Sequence, residues 1–205
     1  MIPGYWAQAK ADLARRDKVL RKLIRKFPDA NLRTRGDAFQ TLCRSIVGQQ
    51  ISVKAAQSIW ARFAEAAGEM EPASVVAMPV EMLRACGLSG QKSLYVKDLA
   101  AHFHTGAIRP RRWPRMKDEA IIEDLVRVKG IGRWSVEMFL IFHLMRPNVL
   151  PVDDLGLRRA MERQFNRGRA LTKDRMRRIG SRWAPYRSVA TWYLWRSLEP
   201  PPEAP

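Results

Sequence analysis

Cysteine and histidine are both scarce in this chain of 205 residues. Its two cysteines, Cys43 and Cys86, are too few for a four-cysteine iron–sulfur cluster, and their isolation argues against a zinc site. The three histidines share no metal-binding spacing, because His102 and His104 would point to different faces of one helix. We therefore expect both cysteines to be buried core thiols, and we expect that no cofactor is required for activity.

Long apolar runs are missing as well. No stretch approaches the roughly 18 consecutive apolar residues of a membrane-spanning helix, and the start of the chain, MIPGYWAQAK, lacks the apolar core of a signal peptide. Alternating, strand-like patterns are also absent, whereas apolar residues recur at helical spacing along almost the whole sequence. The sequence therefore predicts an all-α protein of the cytoplasm that has no membrane partner.

Acidic residues are few compared with basic ones. The chain has 20 Asp and Glu against 37 Lys and Arg, so its formal net charge is +17. A basic surface can serve solubility alone, but an excess of this size favours a polyanion as partner, because each contact with a phosphate releases condensed counterions. Nucleic acid is the polyanion that this charge predicts.

Glycines, prolines and capping residues divide the helical pattern into segments. A first helix is expected over residues 5–27 and should end at Pro28. Ser52 is the expected N-cap of a later helix that Gly68 closes. The stretch IRPRRWPRM, residues 108–116, is expected to be a linker, and residues 200–205 a disordered tail. The other expected helices cover residues 37–47, 72–78, 80–86, 91–104, 118–127, 134–146, 155–165, 172–183 and 186–197.

Two glycines interrupt the stretch LVRVKGIGRWSVEMFLIF, residues 125–142. Gly130 and Gly132 allow positive φ and a close approach of the backbone, so a tight hairpin here can direct amide N–H groups toward a phosphate. Lys129 and Arg133 flank the turn and add positive charge. An ordinary corner between two helices, with glycine as C-cap, would need the same residue types. The net charge of the chain favours the phosphate-binding hairpin.

Four motifs together resemble the helix-hairpin-helix DNA glycosylase superfamily. They are VKGIGRWSVEMF, LPVDDLGLRR, DAFQTLCRSIVGQQISVKAAQSIWARF and GLSGQKSLYVKDLA, and the last two are similar to the branch that contains 3-methyladenine DNA glycosylase II. The resemblance runs from residue 5 to about residue 198 and is to the compact form without an N-terminal β-domain. It implies two helical lobes that flank a DNA-binding cleft. One lobe would be residues 37–146, with the helix-hairpin-helix motif at 118–145, and the other residues 1–36 plus 147–199.

An aspartate pair in LPVDDLGL, Asp153 and Asp154, precedes a predicted helix. Cleavage of an N-glycosidic bond gives the sugar oxocarbenium character, which a fixed carboxylate stabilises. An alkylated purine already carries positive charge and leaves as a neutral base, so one carboxylate can suffice. Helix N-capping is the commoner role of such aspartates. The resemblance implies that Asp154 is the catalytic residue and that Asp153 supports it.

The resemblance also implies a base pocket formed by Trp134, Trp195 and Met138. Met138 stands where the family has a tyrosine. Indole faces attract a cationic base by roughly 0.5–2 kcal/mol.

Trp134 occupies the position of the lysine that attacks the sugar in bifunctional members, so the resemblance implies a monofunctional enzyme that excises 3-methyladenine and 7-methylguanine. The alternatives are a non-catalytic DNA-binding protein and a bifunctional oxidised-base glycosylase. Two further tryptophans, Trp60 and Trp183, fit apolar stripes of the core.

The turn GQQIS between two predicted helices is the candidate for filling the gap that a flipped nucleotide leaves. The resemblance implies insertion of Gln50, with Gln49 beside it, and Lys54 one turn into the next helix is placed to contact a phosphate. Polar loop residues of this kind more often cap a neighbouring helix.

Relatives also suggest a structural ion at the hairpin. A Na⁺, K⁺ or Mg²⁺ ion would be held by the backbone carbonyls of Val126, Val128 and Ile131, would bridge to phosphate, and would take no part in the chemistry. The implied partner is double-stranded damaged DNA, bound by a monomer at the nucleoid of a bacterial cytoplasm.

Overall fold

A computed structural model describes residues 2–29, 31–32 and 36–199, and every regular element in these ranges is a helix. The all-α prediction is therefore confirmed, whereas the expected tail, residues 200–205, lies outside the described residues. The α-helices are α1 (Trp6–Arg16), α2 (Lys18–Lys26), α3 (Ala38–Gly48), α4 (Val53–Ala67), α5 (Pro72–Ala77), α6 (Val80–Ala85), α7 (Gly90–His104), α8 (Asp118–Leu125), α9 (Arg133–Phe142), α10 (Leu155–Phe165), α11 (Lys173–Gly180) and α12 (Arg187–Arg196). Two short 3₁₀ helices cover Pro110–Arg115 and Ser181–Trp183. Within the described ranges, each helix is too short or too polar to cross a bilayer.

Two compact units make up the chain. The terminal unit joins Met1–Thr34 to Leu140–Pro205, and the central unit is Arg35–Phe139. The division falls inside α9, earlier than the boundary at residue 146 that the sequence indicated. The sequence favours the later position because Pro147 is the first clear helix stop after the hairpin.

The central unit is built around α7, which packs against α3, α5 and α6. Aromatic rings continue its core from Phe39 through Phe103 and Trp113 to Phe139, with centroid separations of 5.3, 6.4 and 5.3 Å. Trp113 is only 1% exposed, so the prediction that residues 108–116 form a linker is wrong. Composition suggested a linker, yet the segment folds as a 3₁₀ helix that inserts an indole into the core.

Local signals predict several helix ends of the central unit correctly. The Ser52 hydroxyl accepts a hydrogen bond from the backbone N–H of Ala55 at the start of α4, and Gly68 ends that helix with a φ of 64°. Cys43 and Cys86 are buried and unpaired with each other, which confirms that they are core thiols, and burial raises the pKa of Cys43. Trp60, which the apolar pattern placed in the core, is also buried.

In the terminal unit, α12 packs against α1, α2 and α10. The single helix expected over residues 5–27 is wrong, because Asp17 separates α1 from α2 in an extended conformation. The buried carboxylate of Asp17 accepts hydrogen bonds from the N–H groups of Val19 and Leu20 at 2.9 and 3.2 Å. It also accepts one from the indole Nε1 of the fully buried Trp183 at 3.0 Å. Asp17 therefore starts α2 and joins it to the core.

Replacing Asp17 tests this junction. Asp17→Ala removes an N-cap and leaves the Trp183 indole N–H buried without its acceptor, so the free energy of unfolding should fall by about 2–4 kcal/mol. Urea denaturation followed by circular dichroism measures the change. Asp12→Ala is the control, because Asp12 pairs with the exposed guanidinium groups of Arg15 and Arg16 and its removal should cost about 0–1 kcal/mol. Equal decreases in the two variants would contradict the proposed junction.

Candidate functional site

Asp154 lies at the N-terminus of α10, where its backbone is extended and its side chain is half-buried. Its Oδ1 atom accepts a hydrogen bond from the N–H of Leu157 at 2.5 Å and another from the indole Nε1 of Trp195 at 2.8 Å. Asp154 is therefore both the N-cap of α10 and the candidate catalytic residue. Because two donors from two helices meet on one oxygen, the carboxylate has a fixed orientation.

Close packing around Trp195 maintains this contact. A Cβ atom at Gly156 would lie 3.1 Å from Asp154 Oδ1 and 3.3 Å from the Trp195 ring, so glycine gives the indole room to reach the carboxylate. The Trp195 ring stacks on Phe142 with a centroid separation of 5.6 Å and an interplanar angle of 12°. Sequence reasoning missed both Gly156 and Phe142, because only the fold brings α12 against the start of α10 and the end of α9.

Asp153 is exposed and forms an ion pair with Lys173 at the first residue of α11. This pair joins the loop before α10 to the start of α11, and it lies one residue from the candidate carboxylate. The supporting role predicted for Asp153 remains a prediction.

Trp134 and Met138 lie one turn apart on α9, and Phe142 follows after another turn on the same side. Trp134 is 46% exposed and Met138 is half-buried. The two predicted pocket residues of the central unit, Trp134 and Met138, therefore share one side of α9. The pocket itself remains a prediction.

Gly130 and Gly132, in the hairpin between α8 and α9, differ in backbone conformation and in the space around them. Gly130 has a φ of 82°, and a Cβ atom there would lie 2.1 Å from Cδ2 of Tyr95, so the hairpin requires glycine at this position. Gly132, by contrast, does not have a positive φ. No atom would lie within 4 Å of a Cβ atom at Gly132, which leaves its backbone open to an approaching group.

The charged residues that flank the hairpin have different environments. The backbone N–H of Lys129 donates to Asp98 Oδ2 at 2.8 Å, and its side chain is exposed. The Arg133 guanidinium binds the carboxylates of Glu119 and Glu137. The hydrogen bond with Glu119 raises the pKa of Arg133 and lowers that of Glu119. Arg133 therefore holds α8 and α9 together, and the phosphate contacts predicted for Arg133 and Lys129 remain predictions.

The turn after α3 is tied to the hairpin by one of its two glutamines. Gln50 is exposed and has a φ of 57°, in the left-handed region. The side-chain Nε2 of Gln49 donates to the carbonyl oxygen of Gly130 at 2.8 Å. Gln49 thus supports the turn, and Gln50 is the glutamine exposed at its tip. Lys54 is exposed in the first turn of α4.

Lys92 on α7 is a second support that sequence reasoning missed. Its Nζ donates to the carbonyl oxygens of Val47 and Gln49 at 2.8 and 2.7 Å, and desolvation lowers its pKa. These carbonyls end α3, so the ammonium group holds the backbone immediately before Gln50. The only available signal was its position in the motif GLSGQKSLYVKDLA, which gives no indication of the contact.

The three residues named for an ion follow α8 directly. Val128 and Ile131 have buried side chains, Val126 is 41% exposed, and the Val128 carbonyl oxygen accepts from the N–H of Ile131 at 3.1 Å. Across residues 2–29, 31–32 and 36–199, no three His, Cys, Asp or Glu side chains are grouped to hold a metal ion.

Comparison with known proteins shows the family to which this chain belongs. The model of the HhH-GPD superfamily of base excision DNA repair proteins matches residues 43–185, and this chain belongs to that superfamily. DNA-3-methyladenine glycosylase 1 of Schizosaccharomyces pombe is 34% identical over 184 residues, which cover 88% of this chain and 81% of the relative. The DNA-3-methyladenine glycosylase of Bacillus subtilis is 29% identical over 200 residues, which cover 91% and 66% respectively.

Two solved structures support the same relationship. The S. pombe 3-methyladenine DNA glycosylase in complex with abasic DNA has 33% sequence identity and a TM-score of 0.79, with coverage of 93% of this chain and 96% of that one. The DNA-3-methyladenine glycosidase of Bacillus halodurans has 34% identity and a TM-score of 0.82, with coverage of 92% and 87%.

Substitution of the two glycines tests the hairpin. Gly130→Ala forces Cβ into the Tyr95 ring at a positive φ, so the free energy of unfolding should fall by about 2 kcal/mol or more. Gly132→Ala meets open space and should change it by less than about 1 kcal/mol. If the Gly132 backbone lies against DNA, this stable variant should nevertheless bind duplex more weakly. Chemical denaturation and fluorescence anisotropy measure the two effects, and wild-type stability in Gly130→Ala would refute the close contact.

Proposed function

We propose that this protein is a monofunctional DNA glycosylase of base excision repair, a hydrolase that excises alkylated purines and leaves an abasic site. Its main substrates in this proposal are 3-methyladenine and 7-methylguanine in DNA. The observation that carries the proposal is the Asp154 carboxylate, which the Leu157 N–H and the Trp195 indole hold on one oxygen. The names of the relatives support the substrate class, and the abasic DNA in the S. pombe complex is the product that such a reaction would leave.

Asp154 supplies the charge that the reaction needs. As the bond between C1′ and the purine nitrogen breaks, its electron pair leaves with the base and neutralises it, and positive charge develops on the sugar. A carboxylate of fixed orientation stabilises that charge without reorganising. Water then supplies the hydroxyl group at C1′ and releases one proton. No second carboxylate is needed, because the leaving purine is already cationic.

The residue at position 134 makes the enzyme monofunctional. A lysine amine there would attack C1′ and form a Schiff base, which leads to strand cleavage. Trp134 has no nucleophilic nitrogen, and its ring is 46% exposed, so in this proposal a base stacks against the ring instead. The resemblance assigns Trp195 and Met138 to binding the base as well, and the indoles would favour a cationic base by roughly 0.5–2 kcal/mol.

The central unit grips the DNA in this proposal. The exposed side chains of Lys129 and Lys54 bind phosphates, and the open backbone at Gly132 approaches the strand. Gln50 enters the space that the flipped nucleotide leaves, while Gln49 holds the turn against the hairpin.

The position of the Val126, Val128 and Ile131 carbonyls is favourable for a Na⁺, K⁺ or Mg²⁺ ion. They follow the C-terminus of α8, where the helix dipole favours a cation. Such an ion would add positive charge beside a phosphate. We further propose that the enzyme binds double-stranded DNA as a monomer and works at the nucleoid of a bacterial cytoplasm, a setting that a bacterial relative supports.

Asp154→Asn tests the proposed chemistry. Asparagine retains a side-chain oxygen that can cap α10 and accept from Trp195, but it removes the negative charge, so base release should fall by about 10²-fold or more while duplex binding persists. Chromatography of bases released from methylated DNA measures turnover, and Asp174→Asn, which removes an exposed carboxylate of α11, is the control that should stay active. Wild-type turnover in Asp154→Asn would refute the assignment. Strong DNA binding by a wild-type protein that releases no base would favour the non-catalytic alternative.

Lys92 gives an independent test of the gap-filling turn. Lys92→Met keeps the length of the side chain but removes both hydrogen bonds to α3, so kcat/KM should fall about tenfold. Fluorescence of 2-aminopurine beside the lesion should show less base flipping, and Lys92→Arg, which can still donate, should restore part of both. Unchanged flipping in Lys92→Met would show that the contact only stabilises the fold.

A further inference from the structure

Positive charge is distributed unevenly between the two units. The terminal unit has 22 Lys and Arg against 9 Asp and Glu, a net +13, and the central unit has 15 against 11, a net +4. The hairpin and the turn that carries Gln50 both belong to the weakly charged central unit. Most of the charge that predicts a polyanionic partner is therefore outside the DNA contacts proposed above.

One part of this charge follows α2. Lys18, Lys22 and Arg25 recur at i, i+4 and i+7, and all three are exposed. The helix contains no acidic residue. Its opposite face is buried in the terminal unit through Leu20, Leu23 and Ile24.

A second part lies on α11 and the 3₁₀ turn after it. Arg175, Arg178 and Arg182 are exposed and recur at i, i+3 and i+7. The Nη2 atom of Arg182 lies 4.0 Å from Asp17 Oδ2, and Asp17 is the residue that starts α2. The two stripes therefore meet at Asp17. We call them together the basic face, which consists of Lys18, Lys22, Arg25, Arg175, Arg178 and Arg182.

Most charges of the basic face have no carboxylate partner among the described residues. Within the part of the chain that the structure describes, Arg182 is the only member of the basic face that forms an ion pair. Like charges at i, i+4 destabilise a helix by about 0.2–0.5 kcal/mol. Lys18 is also the first residue of α2, where the helix dipole repels a cation. The uniform sign of the basic face therefore costs some stability, and bound anions would offset that cost.

We propose that the basic face binds the phosphate backbone of duplex DNA, as a second contact surface in addition to the hairpin. Exposed cations about one helical turn apart match a row of phosphates, and they carry no base-reading geometry, so this binding is independent of sequence and of damage. An anionic membrane fits less well, because the apolar face of α2 is buried and cannot insert between lipids. The inference rests on the proposed function only in taking DNA as the partner.

Salt-dependent binding tests the proposal on the full-length protein. The variant Lys18→Gln, Lys22→Gln, Arg175→Gln, Arg178→Gln leaves Arg182 in place to keep its pair with Asp17. The matched control removes four exposed charges from the central unit, in Arg84→Gln, Arg111→Gln, Arg112→Gln, Arg115→Gln. Fluorescence anisotropy with an undamaged 30-base-pair duplex, over a series of NaCl concentrations, gives the slope of log Kd against log [salt].

The basic-face variant should lower this slope by about 0.9 for each phosphate that it no longer binds, and so by up to about 3.6, while the control stays close to the wild type. Its base release at saturating DNA should be unchanged, with a raised KM.

A slope equal to that of the wild type, or an equal decrease in the control, would overturn the proposal. So would weaker binding to phosphatidylglycerol vesicles with an unchanged affinity for DNA. Thermal unfolding monitors folding of both variants. If the slope falls as expected but the wild type releases no base, the basic face stands and the proposed chemistry fails.

Discussion

A single carboxylate oxygen, Oδ1 of Asp154, accepts hydrogen bonds from both the backbone of α10 and the indole of α12. The cap fixes where α10 begins, and the Trp195 contact fixes how α12 lies against it. Gly156 gives the indole the room it needs, and Phe142 holds the indole ring by stacking. The geometry of the proposed active site and the packing of the terminal unit therefore depend on the same few atoms.

The central unit has a comparable constraint at Gly130. The approach of the Tyr95 ring requires a residue without a side chain there, and the carbonyl oxygen of Gly130 accepts from Gln49. The hairpin and the turn that carries Gln50 are therefore coupled within this unit, and Lys92 holds the turn from a second direction. Preorganisation of this kind lowers the entropy that the protein loses on binding DNA.

Local signals explain which features the sequence could predict. Ser52 and Gly68 determine the ends of α4 through their own backbone and side-chain preferences, so reading the residues in order is enough. The break at Asp17 could not be found in this way, because the apolar residues Leu13 and Leu20 stay in helical register across it. The burial of Trp113 and the contacts of Lys92 and Phe142 arise from tertiary packing between distant segments. The motif resemblance pointed to Asp154, while the Trp195 contact that fixes it was visible only in the structure.

The two donors on Asp154 also bear on its chemical role. The hydrogen bonds from Leu157 and Trp195 occupy acceptor directions of Oδ1 and stabilise its charge, so they lower the nucleophilicity of this oxygen toward C1′. Electrostatic stabilisation requires only the net negative charge of the carboxylate, and hydrogen bonds orient that charge without removing it. In the proposed reaction, the same bonds would hold the group in place while the charge on the sugar develops and water attacks. Their arrangement therefore favours Asp154 as an electrostatic stabiliser of the oxocarbenium ion over a covalent intermediate at Oδ1.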